Sequence, residues 1–113
     1  MKKIHVSNEL KNLIEYPIEV INNIFKTIET LDDNYGANRD VDNDLGGYIL
    51  IAENIADIEM LKQDKLQGII PEYTDVIECK EGVNWTSSLF LLSSDYSIVV
   101  VCTEELSKYL IER

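Results

Sequence analysis

Basic residues are scarce in this chain: 10 Lys and Arg stand against 21 Asp and Glu in 113 residues, a formal charge of −11. A surface of that sign repels phosphate, which argues against direct binding to nucleic-acid backbones or anionic membranes. Histidine occurs once, at position 5. A general base at neutral pH would therefore have to be a carboxylate or lysine with a displaced pKa. The two cysteines, Cys79 and Cys102, lack metal-site spacing and read as buried thiols within strands. No Gly-x-Ser-x-Gly, P-loop or His-Glu-x-x-His pattern occurs, so neither catalysis nor a cofactor is expected. Long apolar runs are also missing. The strongest, Ile98 to Cys102, is far too short to span a bilayer. Lys2 and Lys3 have no apolar core behind them, because Glu9 and Lys11 interrupt it, so a signal peptide is not expected and a cytoplasmic location is.

What is present suits one domain spanning residues 1–113, with 45% hydrophobic residues to build a core. Leu10, Leu13, Ile14, Ile18, Ile21, Ile24, Phe25, Ile28 and Leu31 recur at three-and-four spacing, which predicts helix. Pro17 divides it into a short helix to Tyr16, capped by Ser7 or Asn8, and a longer one ending near Asp33, with a single kinked helix as the alternative. Tyr48 to Ala52 reads as a central strand, Asn54 to Gln63 as a short helix, and Tyr73 to Cys79 as a strand. Trp85 to Leu92 and Tyr96 to Cys102 form a hairpin closed by Ser93-Ser94-Asp95. The β-branched run Val99-Val100-Val101 suits a strand covered on both faces or in mid-sheet. Thr103 caps a last helix, Glu104 to Glu112, with Leu106, Leu110 and Ile111 inward. The fold class is α+β: N-terminal helices and a C-terminal helix on one face of a mostly antiparallel sheet of about four strands.

The acidity is uneven. Residues 29–59 carry nine acids against Arg39 alone, a net of −8, whereas residues 1–28 are net +1 and residues 60–113 net −4. Like charges crowded in sequence point to a cationic partner that neutralises them. At the centre lies a long loop, Asp33 to Gly47, rich in Asp, Asn and Gly, the residues that favour turns. Asp40, Asp42 and Asp44 match the first oxygens of a calcium loop, but its sixth and twelfth positions fall on Leu45 and Ile51, where Gly and Glu are required. No metal is expected there. Gly46-Gly47 is a weak phosphate-loop signal among carboxylates that would repel phosphate.

Tyr35, Tyr48 and Trp85 lie in or beside this loop and the strand starts, and Tyr35 is the expected interface anchor. Tyr35-Gly36, the run Arg39-Asp40-Val41-Asp42-Asn43-Asp44-Leu45-Gly46-Gly47-Tyr48 and the Ser93-Ser94-Asp95-Tyr96 hairpin sit in a short acidic α+β chain. In that general character the chain resembles the immunity proteins of bacterial toxin systems, including those paired with contact-dependent growth-inhibition toxins. The resemblance implies binding to a cognate toxin and block of its active site, with no catalysis by this chain. Many such toxins are cationic nucleases, which agrees with the charge. The residues expected to meet a basic protein partner are Asp32, Asp33, Tyr35, Asp40, Asp42, Asp44, Glu53, Asp57 and Glu59. Rival readings are a phage-type inhibitor imitating DNA phosphates, a small ligand- or metal-binding domain, and a subunit of a larger assembly.

Overall fold

A computed structural model describes residues 1–4, 14–36, 46–93 and 95–111. Their elements run β1 (Lys2–Ile4), α1 (Ile18–Tyr35), β2 (Gly46–Ile51), α2 (Ile55–Asp64), β3 (Tyr73–Ile77), β4 (Trp85–Ser93), β5 (Tyr96–Thr103) and α3 (Glu104–Ile111). The chain is α+β. One five-stranded sheet has the order β1-β2-β5-β4-β3, in which only β2 and β5 run parallel. No described helix is long and apolar enough to cross a membrane.

Apolar content decides which strands are central. All six residues of β2 are buried, as are Tyr96 to Cys102 of β5. Strands of near-continuous apolar sequence need cover on both faces, and they have it. On one face α1 lays Val20, Ile24, Ile28 and Leu31 against Ile49, Ile51, Val99 and Val101. On the other, Ile58 and Leu61 of α2 and Leu110 of α3 pack with Leu50, Phe90, Ile98 and Val100. Each fully buried aliphatic side chain contributes roughly 1.5–3 kcal/mol by leaving water, so this double-sided core dominates the stability. The helices thus divide between two faces instead of sharing one: β5 is apolar in both directions, and a single helical layer would leave half of it in water.

Helix starts follow from side-chain chemistry. Pro17, with φ −57°, precedes α1 and cannot donate, so its ring sets the first turn without losing a bond. That start turns Val20 inward and leaves Ile18 and Phe25 exposed, against the expectation from spacing alone. Asn54 caps α2, its Oδ1 accepting from the Asp57 N–H at 2.9 Å. Thr103 Oγ1 accepts from the Leu106 N–H at 3.4 Å at the start of α3. In α3, Leu110 is buried and Ile111, expected inward, is exposed. The expected short helix before Tyr16 falls mostly outside the described residues, as do His5, Ser7 and Asn8.

Two further expectations change. Lys2–Ile4, to which the sequence assigns no element, is an edge strand paired with β2, and edge positions tolerate lysine because one side of the strand faces water. The strand expected to Cys79 ends at Ile77, leaving Cys79 half-buried while Cys102 is fully buried; both thiols are free. Burial pushes the Cys102 thiol up, only partly offset by its contact with Thr86, so it remains a protonated core group.

The first turn of α1 is tied to the turn between β3 and β4 by Glu19, whose carboxylate accepts from the Lys80 N–H at 2.8 Å. This bond holds the Glu19 carboxyl below the usual carboxylate range. A depressed folded value means that the tie is fully present above the ordinary glutamate value of 4.5 and is lost as pH falls through the lower one. The hydrogen-exchange protection of the Lys80 amide is therefore expected to drop across that acidic window in the native chain and to be low at all pH in Glu19→Ala, which has no acceptor. Protection independent of pH would refute the tie.

Candidate partner-binding groove

The structure separates the acidic residues that sequence places together. Leu31 of α1 lies against Gly47 at the start of β2, so the end of α1, with exposed Asp32 and Asp33, sits at that end of the sheet. Glu53 and Asp57 follow the other end of β2, about 20 Å away at the ordinary rise of an extended strand. Glu59 is exposed on α2, on the opposite face from α1. Asp40, Asp42 and Asp44 lie outside the described residues. Every described Asp and Glu except Glu19 and Asp57 is exposed, so the acidity of this part of the chain is a shell over both faces.

Asp57 does not face outward. It is buried, and its Oδ2 accepts from the Glu53 N–H at 2.8 Å. The amino nitrogen of Met1 lies 3.4 Å from both the Asp57 and Glu53 carboxylates. These two acids act within the chain, one as a helix-start brace and the other beside it, and the expected interface loses them as free charges. Gly46 and Gly47 are buried strand residues whose sequence resembles a phosphate loop only superficially. Gly46 takes φ +82°, which a side chain disfavours, and donates to the Asp95 carbonyl at 2.7 Å. Ile51, where a calcium loop would need its last carboxylate, is fully buried in β2.

The aromatic residues also part company. Tyr48 is buried beside Tyr96, with ring centroids 6.0 Å apart. Trp85 packs edge-on against Tyr16 at 5.6 Å. Both serve the core. Tyr35 instead lines a groove of about 400 Å³ where the C-terminal half of α1 leaves the sheet uncovered towards β3 and β4.

The groove is built by side-chain alternation. Tyr73 and Asp75 on β3, Leu89 and Leu91 on β4, and Ser97 and Val99 on β5 line it, two residues apart on each strand and so on one face. Asn23, Lys26 and Tyr35 line it from α1. Tyr73 and Leu91 are exposed, the former half in water, so the apolar surface here is open to solvent. Burial first, then the charge of Asp75, pushes the Tyr73 hydroxyl up, so it stays protonated and offers a donor. Two buried oxygens of lining residues, Asn23 Oδ1 and Ser97 Oγ, have no hydrogen-bond partner among the described residues. Buried polar atoms are normally satisfied, so two without a protein partner on the walls of one groove call for an explanation.

Sequence reasoning reached Tyr35 and missed Asn23, Tyr73, Asp75 and Ser97. Ser97 carried a signal: it is the one aliphatic hydroxyl inside the apolar run Tyr96 to Cys102. No protein-family model, curated protein or solved structure matches the chain.

Proposed function

We propose that this chain is an immunity-type inhibitor that binds a cationic toxin, a nuclease, and covers its active site, with no chemistry of its own. One observation supports this most: an acidic surface is combined at one end of α1 with an open groove containing Tyr35, Tyr73, Leu91 and Asp75. Exposed carboxylates steer a basic partner and speed its association, while aromatic and aliphatic anchors give affinity once contact is made. The interface is centred on Asp32, Asp33, Tyr35 and the groove. Asp40, Asp42 and Asp44 belong to the same proposal by their place in sequence, directly after α1. Glu53, Asp57 and Glu59 lie elsewhere and drop out of it.

Affinity capture from the native cell at rising salt tests the reading. A basic protein that is lost steeply as salt rises supports it, and a salt-indifferent or acidic partner refutes it. The identity of the captured protein separates a toxin from the host nuclease that a DNA-mimicking inhibitor would hold. With that partner in hand, reversing Asp32 and Asp33 to lysine, or Asp40, Asp42 and Asp44 together, is expected to slow association at least about tenfold at low salt. Reversing Glu59 and Asp64 on α2 is the control and should leave the rate within about twofold. Equal effects from both sets would show that only net charge matters and would remove the site.

A further inference from the structure

We propose that the groove between α1 and strands β3 to β5 receives the guanidinium group of an arginine side chain from the basic partner. The inference rests on the reading of the chain as a binder of such a partner and specifies what its groove recognises.

Among the polar groups of the lining, the unpartnered oxygens and the one carboxylate call for an incoming donor. Asn23 Oδ1 on the helix wall and Ser97 Oγ on the floor are buried and unpartnered, and Ser97 as a whole is only 1% exposed. Asp75 adds a carboxylate from β3. Three acceptors thus come from three separate elements around one cavity. An apolar occupant would cover them without bonding them, which is unfavourable for buried oxygens. An anion would meet Asp75 and the acidic surface around it.

A guanidinium carries five N–H donors in a rigid plane and no acceptor, so it can serve several acceptors at once. Its flat, weakly hydrated faces also suit tyrosine rings, of which Tyr35 and Tyr73 supply two. An ammonium is compact, strongly hydrated and has three donors, a poorer match for acceptors spread over separate walls. Among the described residues, Lys26 is the single cation in the lining; its exposed position on α1 lets its long stem turn to water. The cavity, at about 400 Å³, is of side-chain rather than domain scale.

The test uses the whole chain and N-acetyl-arginine methylamide, followed by backbone amide resonances. Saturable shifts at Asn23, Tyr73, Asp75 and Ser97 are expected, with the lysine analogue at least threefold weaker and the neutral citrulline analogue inactive. Asp75→Asn, at an exposed site where folding is not at stake, should weaken the arginine probe about tenfold. Lys26→Gln should tighten it two- to threefold, whereas an anionic ligand would be weakened by the same change. Citrulline binding as well as arginine, or Lys26→Gln weakening the probe, overturns the inference. If a basic partner is captured while the arginine probe leaves the groove unchanged, this inference fails and the functional reading survives. If the probe occupies the groove and no basic partner is captured, the guanidinium site survives and the functional reading fails.

Discussion

Replacing Gly47 with alanine is expected to destabilise the chain by about 2 kcal/mol, a fall in Tm of roughly 10 °C. Gly47 pairs with Ser97 in the parallel β2–β5 ladder at the centre of the sheet. A Cβ at this position would stand 2.7 Å from the Ser97 carbonyl oxygen, 2.9 Å from Ser97 Oγ and 3.1 Å from Leu31 Cδ2. The nearest of these is backbone, held by the ladder, so it cannot swing aside as a surface side chain would. Two effects oppose each other. Alanine in place of glycine narrows the unfolded ensemble and gains about 0.4–1 kcal/mol. Overpacking a well-filled interior costs about 1–3 kcal/mol, and contacts this short against a fixed backbone belong at the upper end. The clash wins.

Urea unfolding of Gly47→Ala and of the double variant Gly47→Ala with Ser97→Ala measures how the cost divides. Removing Ser97 Oγ relieves the second contact and leaves the first, so the double variant should recover less than half of the loss. Full recovery would mean that the hydroxyl rather than the ladder sets the limit. A single variant within about 0.5 kcal/mol of the parent would refute the close approach altogether. The same replacement should disturb the groove, because Ser97 forms its floor.

Elements whose cause is local were legible in the sequence, and those whose cause is tertiary were not. The start of α2 near Asn54, the Thr103 cap and the hairpin joining β4 and β5 arise from neighbouring residues and are legible in the sequence to within a residue or two, although the capping role of Asn54 is not. The run Val99-Val100-Val101 suits cover on both faces as well as a mid-sheet place, and β5 has both, yet the order of elements alone does not say that α1 takes one face and α2 with α3 the other. β1 was invisible because three residues, two of them lysine, have no strand signal until β2 offers its edge. Along α1, apolar residues exceed what one face can hold, so spacing fixed the helix but not its rotation; Val20 is buried where Ile18 and Phe25 are not.

The candidate site failed for a related reason. Segment 29–59 is acidic as a string, but β2 runs through its middle and carries Glu53 and Asp57 to the far end of the sheet. The groove draws on α1, β3, β4 and β5, so its members are scattered over the sequence and only pairing registers bring them together. Tyr35 was found because it belongs to both descriptions, the acidic segment and the groove.

Asp57→Ala is expected to cost roughly 2–3 kcal/mol of stability while leaving the folded chain's association with its basic partner unchanged. The side chain is about one-eighth exposed, at 12%, and performs a local task. Its Oδ2 accepts from the Glu53 N–H at 2.8 Å, while its own N–H donates to Asn54 Oδ1 at 2.9 Å. The two bonds close the start of α2 reciprocally, in the manner of a capping box shifted by one residue. A charged acceptor for a part-buried amide is worth about 1.5–3 kcal/mol, and a carboxylate in the first helical turn adds about 0.3–1 kcal/mol through the helix dipole. Asp57→Asn keeps an acceptor and loses the charge, so it should cost about half as much. Association measured under conditions where both variants remain folded then separates structure from recognition: Asp33→Lys should slow the partner, and Asp57→Ala should not. If Asp57→Ala instead weakens association and leaves unfolding untouched, this carboxylate meets the partner directly, and the end of the sheet near Glu53 becomes part of the interface.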